Sequence, residues 1–200
     1  MRPWVWMRHH HLDFDEQVIS LDGVQTGKRI AEFDCGSTVP ILLDGDIKIW
    51  DSMAILEYLA ERHPGCCGWP ENALARAHAR SVSAEMHSGF SGIRTTMPMN
   101  CRRRLDDFPV SPEVQREIFR INAIFNDCRQ RYHHEGSWLF GEYSIADSMF
   151  APVVMRFNTY AVNLDGEGAD YMETVNSQSA VLDWIADSRN ETEVLEHNEI

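Results

Sequence analysis

Asp51-Ser52 stands at the head of a segment with Ile55, Leu56 and Leu59 on one helical face. Ser52 is expected to cap a helix there. Free N–H groups and the helix dipole at such a start favour a carboxylate. The Asp51 carboxylate beside it pairs with an ammonium group. An α-amino acid carries both groups on one carbon. The same two residues ahead of a helix also serve as an ordinary cap. Twelve residues before Asp51 lies Val39, followed by Pro40 and a hairpin signal at Asp44-Gly45. An X–Pro bond is the peptide bond that adopts cis cheaply. A cis bond here would turn the Val39 N–H and C=O outward, open to a peptide-like ligand much as to an added strand.

Other chemistry-bearing residues point less far. His9, His10 and His11 are consecutive, so they cannot all face one ion from a helix; a helix C-terminus favours histidine in any case. No metal site is expected. The five cysteines, Cys35, Cys66, Cys67, Cys101 and Cys128, form no CxxC pair and are odd in number, which fits reduced thiols. Cys35 is expected to be a small loop residue. Arg102-Arg103-Arg104 is a basic run that solvates a helix C-terminus or draws an anionic substrate.

The elements that position these residues follow from the whole chain. It has 200 residues, 44% hydrophobic and 24% charged, an ordinary globular composition. With 18 Lys and Arg against 31 Asp and Glu, its formal charge of −13 repels nucleic-acid backbones and anionic membrane faces. No apolar run approaches the roughly 20 residues that span a bilayer. The start carries no secretory h-region, so a cytoplasmic address is expected.

The chain changes character near His63-Pro64-Gly65, a helix stop. Before it, a helix over 3–10, a strand over 14–21, a short helix over 26–33, strands over 39–43 and 47–50, and a helix from Ser52 are expected. After it, Ala75, Ala79, Val82, Met86, Phe90, Ile93 and Met97 keep the spacing of one long helix. Val114 to Tyr132 predicts a second. Ser144-Ile145-Ala146-Asp147 resembles a capping box opening a helix through Phe157, with a kink at Pro152. A shorter helix lies around 181–186. The expected organisation is an α/β domain over 1–63, a linker over 64–71 and an all-α helical bundle over 72–200.

This order resembles the cytosolic glutathione transferases. Thr38-Val39-Pro40 matches the family's Val-Pro loop, Asp51-Ser52 its acidic-Ser pair, and Trp50 to Leu59 its third helix. Glu85-Met86-His87-Ser88-Gly89-Phe90, Met97-Pro98-Met99-Asn100 and Arg2-Pro3-Trp4 are similar to motifs of a bacterial serine-type, zeta-like subgroup. Gly141 to Asp147 resembles the capped sixth helix. The resemblance implies a thioredoxin-like first domain and glutathione as co-substrate, with no metal. It implies that Thr38, Val39, Pro40, Asp51 and Ser52 bind glutathione, the last two at its γ-glutamyl end. Arg2, Phe90, Arg94 and Met97 would border the second-substrate pocket; Phe90 and Met97 also suit a core. Arg94 is the stronger functional candidate, because an apolar face has no use for it.

The resemblance also aligns Met1 with the residue directly after the family's catalytic serine. The domain is therefore expected to lack its first strand and thiol-activating hydroxyl. His11 stands where the subgroup has a left-handed Gly. The implied activity is conjugation of the glutathione thiolate to small hydrophobic electrophiles by a homodimer. Two alternatives remain: a zeta-like isomerase of a maleylacetoacetate-like diacid, for which Arg2 and Arg94 would suit the carboxylates, and a non-enzymatic transferase-fold interaction module.

Overall fold

The computed structural model describes residues 1–21, 23 and 25–195. Its first part comprises helix α1 (Arg2–His9), helix α2 (Thr26–Ala31), strands β1 (Ile41–Asp44) and β2 (Ile47–Trp50), and helix α3 (Ser52–Arg62). Helices α4 (Ala73–Ser88), α5 (Ser91–Thr96), α6 (Pro112–Tyr132), α7 (Ile145–Thr159), α8 (Glu167–Ser177) and α9 (Ser179–Asn190) form the second.

The two strands are an antiparallel hairpin, and its register pairs Ile41 with Trp50 and Asp44 with Ile47. Gly45, at φ 58, supplies the left-handed turn that the Asp-Gly dipeptide predicts. Leu42 and Ile49 lie opposite each other and pack on a small core of Trp6, Met7, Ile55, Leu56, Leu59 and Met149.

Helix α1 joins this small core to the large one. Trp4 and Val5 belong to the core of the helical part, Trp6 and Met7 to that of the hairpin part. Five consecutive residues, Pro3 to Met7, are buried. A helix buried on all sides lies inside the protein rather than on it. His11 then takes the left-handed conformation, φ 54, in which glycine is usual.

Two expectations need correction, and one helix is additional to them. Residues 14–21 form no strand: among the described residues no strand lies alongside to pair with them, and Val18 and Leu21 are exposed. Instead Phe14 packs edge-on against Trp4, and the Ser20 hydroxyl and Leu21 N–H both donate to Glu193. The helix expected to run through Met97 breaks at Gly89-Phe90, where Phe90 is left-handed at φ 56. A Cβ at Gly89 would lie 2.7 Å from the Glu85 carbonyl oxygen, so the break needs glycine there. Helix α8 was not expected. It buries only Gly168, Tyr171 and Val175, too sparse a pattern to read as a stripe.

The capping box at α7 forms as expected. Asp147 Oδ2 accepts from the Ser144 N–H at 2.9 Å and from the Ser144 hydroxyl at 3.1 Å. Its other oxygen accepts from the Leu139 N–H and the Tyr171 hydroxyl, each at 3.1 Å. Burial still pushes this carboxyl up to about 6. The helix continues through Pro152 to Thr159.

Candidate functional site

The hairpin brings the two sequence motifs to one end of the sheet. Pro40 immediately precedes Ile41, Asp51 immediately follows Trp50, and those two strand residues face each other. Directly opposed residues sit about 4.5–5.5 Å apart, so a separation of a dozen residues closes to near contact. The Val39–Pro40 bond is cis, as the motif predicts. The approach to it packs tightly: Gly36, at φ 57, leaves no room for a Cβ, which would lie 2.8 Å from the Trp50 ring. Val39 is 42% exposed, with Thr38 and Pro40 exposed beside it, so this backbone is accessible.

The cap at α3 is Asp51 rather than Ser52. Asp51 Oδ1 accepts from the Met53 N–H at 2.8 Å and the Ala54 N–H at 3.4 Å. A carboxylate at the N-cap reaches the second and third amides; a residue already inside the helix does not. Asp51 holds φ 75, ψ 131 to do so. Such a backbone in a non-glycine residue costs about 1–3 kcal/mol and persists where its surroundings hold it. Oδ2 of the same carboxylate lies 3.0 Å from Nε2 of His87, in the last turn of α4. Ser52 is freed from capping. It is buried, and its hydroxyl accepts from Arg2 Nη1 at 3.4 Å.

Arg2 reaches further. Its Nε donates to the Met149 carbonyl at 3.1 Å. Together with Met86, Ile93, Arg94, Pro152, Val153 and Arg156 it lines a cavity of about 30 Å³. Arg94 donates through Nη2 to the Met86 and His87 carbonyls. Arg156 donates through Nη1 to the carbonyl of Pro152, one turn back in α7, at 3.3 Å. Burial pulls the Arg2 guanidinium down to about 10, with repulsion from Arg94 and Arg156 adding to it. Burial lowers Arg156 too, with Arg94 the next cause.

Of the four residues expected at the second-substrate pocket, Arg2 and Arg94 meet at this cavity. Phe90 and Met97 are 8% and 0% exposed, belong to the large core and are not among the cavity's lining residues. Arg156 was missed. It is the lone basic residue of α7, in a stretch where Val153, Val154, Met155 and Phe157 are buried, so the argument that picks out Arg94 applies to it too. His87 carries no signal of its own in the sequence, since its contact with Asp51 joins positions 36 residues apart.

The remaining candidates stand apart. Arg102 reaches the Glu191 carbonyl and Arg104 pairs with Asp106; the run lies in a loop beyond α5 rather than at a helix end. Cys128 is buried and pushed up to about 12, which makes it an inert thiol despite His78 at 4.0 Å. A larger, more open cleft of about 380 Å³ lies on the second domain between Phe108, Phe119 and Leu164, and contains none of the expected residues. Among the described residues there is no cluster of three His, Cys, Asp or Glu side chains placed to hold a metal. None of the described helices is long and apolar enough to cross a membrane.

Residues 1–62 match the family model for the glutathione S-transferase N-terminal domain. The chain is 25% identical over 157 residues to a probable maleylacetoacetate isomerase of Caenorhabditis elegans, covering 77% of this chain and 72% of that protein. It is 24% identical over 157 residues to a stringent starvation protein A homolog of Pasteurella multocida, covering 78% and 66%. Among solved structures, a glutathione transferase homolog from Burkholderia with bound glutathione superposes with a TM-score of 0.67 at 21% identity, over 95% of this chain and 91% of that one. The chain has the glutathione transferase fold: a thioredoxin-like N-terminal part with a small sheet, followed by helices.

Proposed function

We propose that the chain is a glutathione transferase: it binds glutathione between the Val39–Pro40 loop and Asp51-Ser52, and directs the thiolate onto a small electrophile held against the second domain. Residues 1–63 would form the glutathione-binding domain, 64–71 the linker and 72–200 the domain that shapes the electrophile site; a homodimer is the expected assembly. The observation that carries this reading is the juxtaposition, through the Ile41–Trp50 pair, of an exposed cis-proline loop and an acidic helix cap. The loop supplies a backbone donor and acceptor for the tripeptide. Asp51 supplies the charge for the γ-glutamyl ammonium, and the α3 N-terminus with Ser52 receives the carboxylate.

Catalysis in this scheme is positioning plus stabilisation of the thiolate, which is the nucleophile. None of the described residues is assigned the role of stabilising that thiolate. A zeta-like isomerisation of a diacid is the second reading, favoured by the meeting of Arg2 and Arg94. Retention on immobilised glutathione, followed by titration calorimetry, tests the proposal. A saturable, one-site heat that Asp51→Asn weakens by about tenfold or more supports it. No binding in the millimolar range sinks it and leaves the fold as an interaction module.

A further inference from the structure

Among the described residues, the three guanidiniums that meet at the small cavity have no acidic partner there. Its lining is Arg2, Arg94 and Arg156 with apolar Met86, Ile93, Pro152 and Val153. The described residues give these cations only neutral acceptors: carbonyl oxygens of Met149, Met86, His87 and Pro152, and the Ser52 hydroxyl. Asp51, the acid that acts on Arg2, has its two oxygens engaged by α3 amides and by His87. The Nε atoms of Arg94 and Arg156 are buried and make no hydrogen bond. A buried donor without an acceptor is costly, and a buried cation without a counter-charge is more so. In a chain of net charge −13, three cations gathered where no acid follows them are not a by-product of composition.

The geometry points to a carboxylate seat: Arg2, Arg94 and Arg156 bind a carboxylate group carried by the electrophile, so that the preferred second substrate is an acidic one rather than a neutral hydrophobic one. This rests on the transferase reading for its second half only; the seat itself rests on the cavity. The fit is physical. About 30 Å³ is the room of one small group rather than of a whole substrate, since a single water already needs about 10–15 Å³ by this kind of measure. Guanidinium N–H pairs match the two oxygens of a carboxylate. Arg2 touches both Ser52 and the cavity, so a carboxylate seated there lies one side chain from the proposed γ-glutamyl position. Arg156 brings in α7, so all three cations come from different helices and converge only in the folded chain.

Binding of glutathione S-conjugates tests this without turnover. Wild-type protein should bind S-(3-carboxypropyl)glutathione at least tenfold more tightly than S-butylglutathione, which matches it in length but lacks the acid. Arg156→Gln should remove that preference and leave affinity for glutathione itself within twofold; Arg156→Lys should restore part of it. Arg116→Gln, on the exposed face of α6, controls for loss of one positive charge. Butyrate alone should raise the Tm of wild type more than of Arg156→Gln, which shows the seat even if glutathione fails to bind. If neither ligand class binds but butyrate does, the transferase reading fails and the seat stands. Equal affinity of wild type for the two conjugates overturns the acidic-substrate proposal. If Arg156→Gln instead weakens glutathione tenfold, the cavity holds a carboxylate of glutathione, and the assignment to the electrophile is wrong.

Discussion

Asp51 at the head of α3 and His87 at the end of α4 share a contact of 3.0 Å between Oδ2 and Nε2, while the other oxygen of Asp51 caps its own helix. One carboxylate therefore holds the first domain's third helix, touches the second domain, and supplies the charge proposed to receive the ligand's ammonium. An arriving ammonium would meet an imidazole whose Nδ1 is itself buried and unpartnered.

Substitutions at this pair separate structure from binding. Asp51→Asn should keep stability within about 0.5 kcal/mol, because Asn caps as well as Asp. It should weaken glutathione by about 1.5–3 kcal/mol, the loss expected when a charged partner is removed. Asp51→Ala should lose both, with about 1 kcal/mol of helix stability going with the cap. Ser52→Ala should weaken glutathione by about 1–2 kcal/mol and leave the cap intact, since Asp51 supplies it. Calorimetry and urea melts on the three variants check this; a destabilised Ser52→Ala would return the cap to Ser52.

Gly36→Ala should disturb the loop before the cis bond. The new Cβ would stand 2.8 Å from the Trp50 ring, at a backbone φ of 57. A cost of about 1–3 kcal/mol follows from the backbone alone. Because Trp50 leads directly into Asp51, glutathione affinity should fall as well. Gly65→Ala, where the added Cβ meets nothing within 4 Å, is the matched control. Equal melting temperatures for the two would contradict the packing described.

Asp147→Ala should be the most damaging of these changes. It leaves the Leu139 and Ser144 N–H groups and the Tyr171 hydroxyl without their buried acceptor. Each such orphan costs about 1–3 kcal/mol, so a total of roughly 3 kcal/mol or more is expected, read as a fall in Tm. Glutathione affinity of the folded fraction should not change, because Asp147 touches none of the proposed ligand groups.

The histidines that end α1 predict acid sensitivity. His10 packs on Trp6 at a ring separation of 4.4 Å, and its Nε2 is buried without a partner. Burial, then His9 and His11, pulls it from 6.5 down to about 4. The unfolded chain takes up the proton first, so the stability contributed by neutral His10 is complete above pH 6.5 and is lost as pH falls toward 4. Asp147, raised from 3.8 to about 6, acts in the opposite sense, favouring the folded state toward lower pH across that window. The comparison is therefore between parent and His10→Phe, which keeps a ring against Trp6 and removes the titration. The variant should lose less stability between pH 6.5 and 4.5; parallel curves would rule the histidine out.

Much of the first domain was legible in the residues themselves. Asp44-Gly45 determines a hairpin because its backbone takes the left-handed turn, and the turn determines that Val39-Pro40 and Asp51-Ser52 end up side by side. Ser144 and Asp147 are three residues apart, the spacing at which a side chain reaches back to its own helix start, so that cap was legible too. Local rules of this kind act within one turn or one hairpin, and sequence order carries them.

What the tertiary structure alone decided lies between elements. The segment 14–21 has strand-forming residues, but a strand exists only through hydrogen bonds to a neighbour, and among the described residues none lies beside it. Asp51 rather than Ser52 became the cap because a backbone at φ 75 swings its carboxylate over the first turn, a geometry that the residue types do not encode. Arg2, Arg94 and Arg156 lie on three different helices, far apart in sequence. Only the packing of α1, α5 and α7 puts them around one cavity, and electrostatics there depends on distances of a few ångströms that no spacing along the chain records.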